Sequence, residues 1–285
     1  MTISKVGVVG CGLMGGGIAQ VVAQSGYAVR VVEADQALLD RGLHGIHRSL
    51  DGLVDKGRLA PEQRVAARGR LSGTVRLEDL GDADLVVEAI TENPGIKKET
   101  FAHLDRICPP HAILASNTSS CTITELAAAT KRPAQVLGLH FFNPAPVMKL
   151  VEVIRTILTG DPAFKTAWAF IQSLGKTPVA AQDTTGFIVN RLLVPYLLEA
   201  VRLLESRVAS KEDIDQAMKL GCGYPMGPFA LLDLVGLDTT LYVAEVMFQE
   251  FREARFAPPP LLRRMVMAGH LGRKSGKGFY DHPAR

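Results

Sequence analysis

A histidine at the end of one apolar run and a glutamate inside the next could form an acid/base pair. His140 follows Val136–Leu139, and Glu152 lies within Leu150–Ile154. The sequence Asn-Pro-Ala-Pro between them predicts a turn, so a strand and a returning strand could bring the two side chains together. A carboxylate beside one imidazole nitrogen fixes the tautomer and stabilises the cation formed when the other nitrogen takes a proton. The oxidation of an alcohol needs such a base, because a proton leaves the oxygen while a hydride leaves the carbon.

Each candidate residue also has an ordinary structural explanation. His140 fits a hydrogen-bonded core histidine, and Glu152 fits an outward-facing residue on an edge strand. Ser119, just past another apolar run, could hydrogen-bond the reacting oxygen or cap the next helix. The motif Thr122-Ile-Thr-Glu125 already predicts a capping box for that helix, which favours the first role for the serine. Asn190 lies early in an apolar helix, where asparagine has a poor propensity, and could bind substrate or join two helices.

A glycine-rich loop is the second feature with a specific chemistry. It follows the apolar run Val6–Val9 and precedes a helical pattern, which is the context that a dinucleotide fingerprint requires. Its first glycine permits a tight turn, its second lets the backbone approach a pyrophosphate, and its third brings helix and strand close together. Glu33 ends the next strand, where a carboxylate binds the adenosine ribose and repels a 2′-phosphate. We therefore predict that NAD, rather than NADP, is bound by Gly10, Cys11, Gly12, Leu13, Met14, Gly15 and Glu33.

The elements that position these residues divide the chain into two parts. Short apolar runs alternate with helical patterns over about the first 180 residues, which is typical of a parallel sheet with crossover helices. After about Thr185 only helical patterns occur: a long apolar helix from Gly186 to Ser206 containing Pro195, and later helices opening at Ser210, at Pro228 and after the prolines at 258–260. We predict an α/β Rossmann domain with a mostly parallel sheet over 1–184 and an all-α domain over 185–285. The predicted strands are Val6–Val9, Val29–Val32, Leu85–Ala89, Ile113–Ala115, Val136–Leu139 and Leu150–Ile154.

The composition excludes several classes of protein. The chain has 285 residues, of which 47% are hydrophobic and 21% charged, as in globular proteins. No apolar run approaches the roughly 20 residues needed to cross a bilayer, and the first residues show no signal-peptide pattern, so we expect a cytoplasmic protein without a membrane segment. Four scattered cysteines and the absence of clustered histidines argue against a metal site. The net charge of +3, without a basic block, argues against a nucleic-acid partner.

Six motifs occur in the order in which they occur in the short 3-hydroxyacyl-CoA dehydrogenases. They span about residues 5 to 281, nearly the whole chain, so the sequence resembles this family, which includes the bacterial 3-hydroxybutyryl-CoA dehydrogenases. Thr185 stands where the family commonly has proline, and Glu33 replaces the aspartate of some members; neither change removes chemistry. The motifs are Gly10–Gly15, Ala115–Ser120, Leu139–Pro144, Gly186–Arg191, Tyr224–Pro228 and Gly276–Tyr280.

The resemblance implies roles for individual residues. His140 would be the catalytic acid/base and Glu152 its orienting partner, Ser119 would bind the substrate oxygen, and Asn190 would help to hold the acyl group. Without the resemblance, the NAD and CoA contacts given next, apart from Ser119, would be interpreted as solvated surface residues. The implied NAD contacts are Glu92, Lys97, Ser119, Asn143 and Lys274, and the implied CoA contacts are Ser49, Lys56 and Ser119.

The expected activity is the reversible NAD-dependent oxidation of an (S)-3-hydroxyacyl-CoA, with 3-hydroxybutyryl-CoA as the substrate by analogy. The resemblance further implies a homodimer formed through the helical domain. One alternative is a related dehydrogenase of a sugar acid or of a carrier-bound hydroxyacyl group. Lys56 favours a CoA substrate, because a substrate without phosphates has little use for it. Another alternative is a non-enzymatic NAD-binding protein on the same fold.

Overall fold

One sheet contains the predicted strands, in a computed structural model that describes residues 2–282. The strand order is β3-β2-β1-β4-β5-β6-β7-β8, and every neighbouring pair is parallel except β6 and β7. The predicted α/β fold with a mostly parallel sheet is confirmed. The strands are Lys5–Val9 (β1), Ala28–Val32 (β2), Leu71–Thr74 (β3), Leu85–Glu88 (β4), Ile113–Ser116 (β5), Val136–Phe141 (β6), Leu150–Arg155 (β7) and Thr177–Gln182 (β8).

The two edge strands, β3 and β8, were not predicted from the sequence. All four residues of β4 and of β5, and all six of β6, are buried, and strands covered on both faces appear in the sequence as continuous apolar runs. In contrast, β3 has the sequence Leu-Ser-Gly-Thr and is largely exposed. Strand β8 contains Pro178, which suits an edge position because proline has no amide hydrogen to donate. Edge strands therefore lack the apolar pattern that identified the central ones.

Helices cover the sheet and connect its strands. Asp35 caps α2 by accepting a hydrogen bond from the Leu38 amide at 2.7 Å, and Asn93 caps α4. The predicted capping box at Thr122 is wrong: the carboxylate of Asp183 accepts the amides that open α5, including that of Thr124 at 2.6 Å. The helices of this unit are Leu13–Gln24 (α1), Gln36–Asp55 (α2), Pro61–Gly69 (α3), Pro94–Ile107 (α4), Ile123–Ala128 (α5) and Asp161–Ser173 (α6).

A helical unit follows, and the chain divides between Thr184 and Thr185. Its first helix begins later than predicted, because Gly186 and Phe187 both adopt positive φ angles, 82° and 44°. The single helix predicted from Pro228 is instead two, since Gly236, at φ 103°, separates them. The helix start predicted at Ser210 is confirmed, and the Ser210 hydroxyl accepts the amide of Asp213. The helices are Val189–Glu205 (α7), Lys211–Cys222 (α8), Pro228–Val235 (α9), Leu237–Phe251 (α10) and Pro260–Met267 (α11).

Buried carboxylates fasten the end of the helical unit. Asp233 of α9, 1% exposed, accepts the amides of Phe279 and Tyr280 at 2.8 Å each. Asp215 of α8 accepts the Tyr280 hydroxyl at 3.0 Å. These bonds hold the last described segment against the helices. Across residues 2–282, no helix combines the length and the apolar character needed to span a membrane.

Candidate active site

His140 and Glu152 meet on facing positions of two antiparallel strands. The register of β6 and β7 pairs the two residues directly, and Nδ1 of the histidine lies 2.7 Å from Oε2 of the glutamate. The histidine is 6% exposed and the glutamate 0%. The predicted contact is therefore confirmed. The alternative of an exposed glutamate on an edge strand is wrong, because β8 covers the outer side of β7.

The glutamate determines which imidazole nitrogen carries the proton. An ionised carboxylate can only accept hydrogen bonds, so His140 donates from Nδ1 and presents Nε2 as a proton acceptor. The ring of Phe142 packs on the imidazole with its centroid 4.6 Å away. Both contacts restrict rotation of the imidazole. The arrangement is suited to taking a proton at Nε2 while the carboxylate stabilises the resulting cation.

The loop that carries Ser119 lies beside this pair. It follows β5, the strand next to β6, and residues after parallel strands collect at one edge of the sheet. Asn117 accepts a hydrogen bond from the amide of Phe141 at 2.9 Å, which joins the loop to the strand that contains His140. Glu92 accepts the amide of Ser119 at 3.3 Å. One hydrogen bond therefore joins the Ser119 loop to β6, and another holds the backbone of Ser119.

The glycine loop between β1 and α1 has the geometry that its sequence predicted. Gly10 adopts φ 94°, and a Cβ atom there would lie 2.7 Å from the carbonyl oxygen of Ala89. A Cβ on Gly15 would lie 1.9 Å from the carbonyl oxygen of Gly10, so helix and loop are in direct contact. At Gly12, by contrast, an added Cβ would have nothing within 4 Å. The open space at the start of a twelve-residue helix fits a diphosphate.

Glu33 stands next to this loop at the end of β2. Its carboxylate accepts the amide of Cys11 at 2.5 Å and that of Ala34 at 3.1 Å. A cavity of about 550 Å³ adjoins the loop and is also lined by Ser49 and Asn143. Its volume lies in the range of small-molecule sites. The structure thus brings Glu33, Ser49 and Asn143 to one cavity, in which the glycine loop and Glu33 fit the adenosine half of a dinucleotide.

The remaining predicted contacts lie in different surroundings. Lys97 is 1% exposed, with its ammonium 2.6 Å from Glu88, so the interpretation of this lysine as solvated surface is wrong. Lys56 is exposed at the end of α2. In the helical unit, Asn190 is the second residue of α7 and is half-buried. Lys274 pairs with Asp238 at 2.6 Å in the same unit.

The cysteines near the site are not suited to nucleophilic chemistry. Burial, with a smaller contribution from the charge of Glu33, raises the pKa of Cys11 to about 11. Burial and the charge of Glu92 likewise raise the pKa of Cys121 to about 11. Since the thiolate is the reactive form, both cysteines remain inert thiols at neutral pH.

One buried carboxylate at the site was missed. Glu88 ends β4 and is 0% exposed, yet it received no role from its sequence. The signal was present, because Glu88 follows three apolar strand residues just as Glu152 lies between apolar strand residues. A charge in such a run needs a buried partner, and for Glu88 that partner is Lys97.

Relatives of known activity share this arrangement of domains. Residues 5–184 match the family model described as 3-hydroxyacyl-CoA dehydrogenase, NAD binding domain, and residues 186–282 match that of the C-terminal domain. The chain is 51% identical over 282 residues to a 3-hydroxybutyryl-CoA dehydrogenase of Mycobacterium tuberculosis, covering 98% of this chain and 99% of that relative. The crystal structure of M. tuberculosis FadB2 is similar with a TM-score of 0.97, at 50% identity and 99% coverage of both chains. That of (S)-3-hydroxybutyryl-CoA dehydrogenase PaaH1 from Ralstonia eutropha has a TM-score of 0.95, at 44% identity, with 99% of this chain and 100% of that chain covered.

Proposed function

The chain belongs to the 3-hydroxyacyl-CoA dehydrogenase family, and we propose that it interconverts an (S)-3-hydroxyacyl-CoA and the corresponding 3-oxoacyl-CoA. It is an NAD-dependent oxidoreductase. The observation that carries the reaction is the buried pair of His140 and Glu152, 2.7 Å apart at the edge of the sheet that also holds the glycine loop. 3-Hydroxybutyryl-CoA is the proposed substrate, because relatives 44–51% identical to this chain are dehydrogenases of that compound.

His140 is proposed to move the proton of the reaction. NAD, when bound, supplies the acceptor for the hydride that leaves C3 of the substrate. Nε2 of His140 takes the proton of the C3 hydroxyl, and in the reductive direction it returns that proton to the 3-oxo group. Glu152 keeps the imidazole oriented through Nδ1 and stabilises the cation. Two electrons and one proton leave the alcohol as hydride, and the second proton stays on the histidine.

Other residues are proposed to bind rather than to transfer. The Ser119 hydroxyl donates a hydrogen bond to the reacting oxygen, and Asn190 is retained as an acyl-binding residue from the resemblance. For the cofactor, Glu33 binds the adenosine ribose beside the glycine loop. The further proposed NAD contacts are Glu92, Asn143 and Lys274, with Lys97 acting through Glu92, to which its ammonium comes within 3.9 Å.

Ser49 and Lys56 are the proposed CoA contacts. Ser49 is in α2 and Lys56 is the C-cap of that helix. The seven positions that separate them correspond to about two helical turns, so both side chains project from one face. The lysine supplies a point charge for a phosphate. This predicts that a substrate without the CoA phosphates is bound poorly.

The decisive experiment compares His140→Gln with the wild-type enzyme. We expect kcat to fall by about 10²–10⁴-fold, because a general base contributes that much, while NADH binding measured by fluorescence titration stays unchanged. Near-normal turnover of the variant would refute the assignment of the base. Wild-type rates with 3-hydroxybutyryl-CoA, free 3-hydroxybutyrate and sugar acids then separate a CoA substrate from the alternatives.

A homodimer and a cytoplasmic location are further proposals that rest on the resemblance. The exposed apolar side chains of the helical unit, among them Leu192, Leu220 and Met267, are consistent with a covered surface. Light scattering coupled to gel filtration measures the oligomeric state, and a monomer at micromolar concentration would contradict the first proposal. Cell fractionation tests the second.

A further inference from the structure

Glu88 is a fully buried carboxylate that binds three donors at the end of a central strand. Its Oε1 atom accepts Lys97 Nζ at 2.6 Å and the Ile90 amide at 2.8 Å. Its Oε2 atom accepts the Ser116 hydroxyl at 2.6 Å. Because a buried carboxylate is costly unless it is paired and hydrogen-bonded, these three bonds define one conformation of the side chain.

A chain of hydrogen bonds leads from Glu88 to Ser119. The Ser116 hydroxyl, which donates to Glu88, also accepts the amide of Thr118 at 3.2 Å. The Thr118 hydroxyl in turn donates to Glu92 at 2.5 Å and accepts the amide of Cys121 at 2.9 Å. Ser119 lies between these two anchored positions. Glu88 therefore helps to fix the backbone of Ser119, because it binds the Ser116 hydroxyl that accepts the neighbouring amide of Thr118.

Lys97 connects the two carboxylates of this network. Its ammonium lies 2.6 Å from Glu88 and 3.9 Å from Glu92, and the side chain is 1% exposed. One buried cation thus faces two anions, of which Glu92 accepts the amide of Ser119. If Glu88 lost its charge, Glu92 would be the remaining carboxylate paired with Lys97. The hydrogen bond between Glu92 and the Ser119 amide therefore also depends on Glu88, through Lys97.

We propose that Glu88 is a positioning residue of the active site, which fixes the Ser119 loop through Ser116 and Lys97. This inference rests on the proposed function, in which Ser119 binds the reacting oxygen. Glu88 occupies β4, and its register partners are Val9, directly before the glycine loop, and Ser116, directly before the Ser119 loop. A residue at this place can coordinate the two loops without touching substrate or cofactor.

The substitution Glu88→Gln removes this function selectively. A glutamine side chain has one accepting oxygen and one donating nitrogen, so it cannot accept hydrogen bonds from Lys97 and Ser116 on separate atoms. If its oxygen stays with Lys97, its nitrogen faces the Ser116 hydroxyl, which loses its acceptor. The side-chain volume hardly changes, so the variant alters hydrogen bonding rather than packing.

A double-mutant cycle between Glu88→Gln and Ser119→Ala tests the proposal. The assay is kcat for reduction of 3-oxobutyryl-CoA by NADH in the full-length enzyme. We expect Glu88→Gln to lower kcat about tenfold or more, because small misplacements of a binding group have effects of this size. In the Ser119→Ala background, the same substitution should change kcat less than about twofold, since the misplaced hydroxyl is already absent. Equal factors in both backgrounds would overturn the proposal, because a purely structural residue acts independently of Ser119.

A second variant and a matched control keep the test decisive. Ser116→Ala leaves the Glu88–Lys97 pair intact and cuts only its link to the loop, so it should show the same dependence on Ser119 even if Glu88→Gln folds poorly. Asp105→Asn alters a different carboxylate, one on α4 that pairs with Arg132 at 2.7 Å; we expect a lower Tm with unchanged kcat. Absence of turnover in the wild-type enzyme would reject the proposed function instead. Normal wild-type turnover with additive variants rejects only the role of Glu88.

Discussion

Replacement of Glu152 by glutamine isolates the charge that is proposed to stabilise His140 during catalysis. Glutamine can still accept a hydrogen bond from Nδ1 through its amide oxygen, so the orientation of the ring is largely retained. The variant lacks the negative charge that faces the imidazole when its other nitrogen takes the substrate proton. The predicted result is slower chemistry with unchanged NADH binding.

The expected decrease in kcat follows from the distance between the two side chains. Nδ1 and Oε2 are 2.7 Å apart and both side chains are buried, which places the two charge centres about 4 Å apart. At an effective dielectric constant of about 20, unit charges at that distance attract by about 4 kcal/mol. A proton half transferred in the transition state gives about 2 kcal/mol, and complete transfer gives the full value. Since about 1.4 kcal/mol corresponds to a factor of ten, kcat should fall between about 30-fold and 10³-fold.

The assay is the initial rate of NADH formation from 3-hydroxybutyryl-CoA across a range of pH. Oxidation needs an imidazole that can take a proton, and Glu152 faces the cation that then forms. The dependence of the rate on pH should therefore change in Glu152→Gln. The exposed pair of His103 and Glu78, 3.3 Å apart, provides the control: Glu78→Gln removes a carboxylate from a histidine on the surface and should leave kcat unchanged.

Two results would refute this reasoning. A Glu152→Gln enzyme within about threefold of the wild-type kcat, with an unchanged pH profile, would show that the carboxylate does not assist proton transfer. A His140→Gln, Glu152→Gln double variant much slower than His140→Gln alone would show that Glu152 acts independently of the histidine. Tm and NADH affinity, measured for each variant, separate a loss of chemistry from a loss of folding.

Three further predictions follow from contacts elsewhere in the Rossmann unit and on the surface. Gly15→Ala places a methyl group 1.9 Å from the Gly10 carbonyl oxygen, so KM for NAD should rise at least about tenfold, and an unchanged KM would refute the close approach. Burial raises the pKa of Asp84, but four hydrogen bonds outweigh it and hold that pKa at about 2. Because its pKa is lowered in the folded state, the carboxylate stabilises the fold above about pH 4, and Asp84→Asn should lose about 1 kcal/mol at pH 7. In thermal melts, the difference in stability between the wild type and Asp84→Asn should vanish as the pH falls towards 2. A difference that is constant with pH would contradict the lowered pKa of Asp84. Iodoacetamide near neutral pH should label the exposed Cys222 and spare the buried Cys11, which peptide mass spectrometry measures; equal labelling would be inconsistent with the burial.

The central strands could be predicted from the sequence because their burial leaves a direct trace. Strand β6 is buried at every position, and its apolar residues ended at a histidine that the structure places beside Glu152. The turn between β6 and β7 was equally visible in its prolines. The pairing of the two residues required only local information, since twelve positions separate them along the chain.

Features that depend on distant residues could not be predicted. The amides that open α5 are bound by Asp183, which follows β8, about 60 residues later. A capping box is a local pattern, and nothing local reveals a competitor from another element. The break at Gly236 was missed for a different reason: the apolar pattern continues through it, and only the backbone angle of 103° separates α9 from α10.

Four neighbouring strands contribute in sequence to the proposed chemistry, and their order explains why Glu88 and Glu152 are both buried. Glu88 on β4 binds Ser116 on β5, and Glu152 on β7 binds His140 on β6. The two inner strands thus support the groups proposed to contact the substrate oxygen, and each outer strand supplies a carboxylate that fixes one of them. A buried carboxylate in an apolar strand needs a hydrogen-bond donor, so the sequence alone predicts that such a donor is present. Which donor it finds depends on strand order, and here that order assigns one carboxylate to the proton acceptor and the other to the loop of the hydrogen-bond donor.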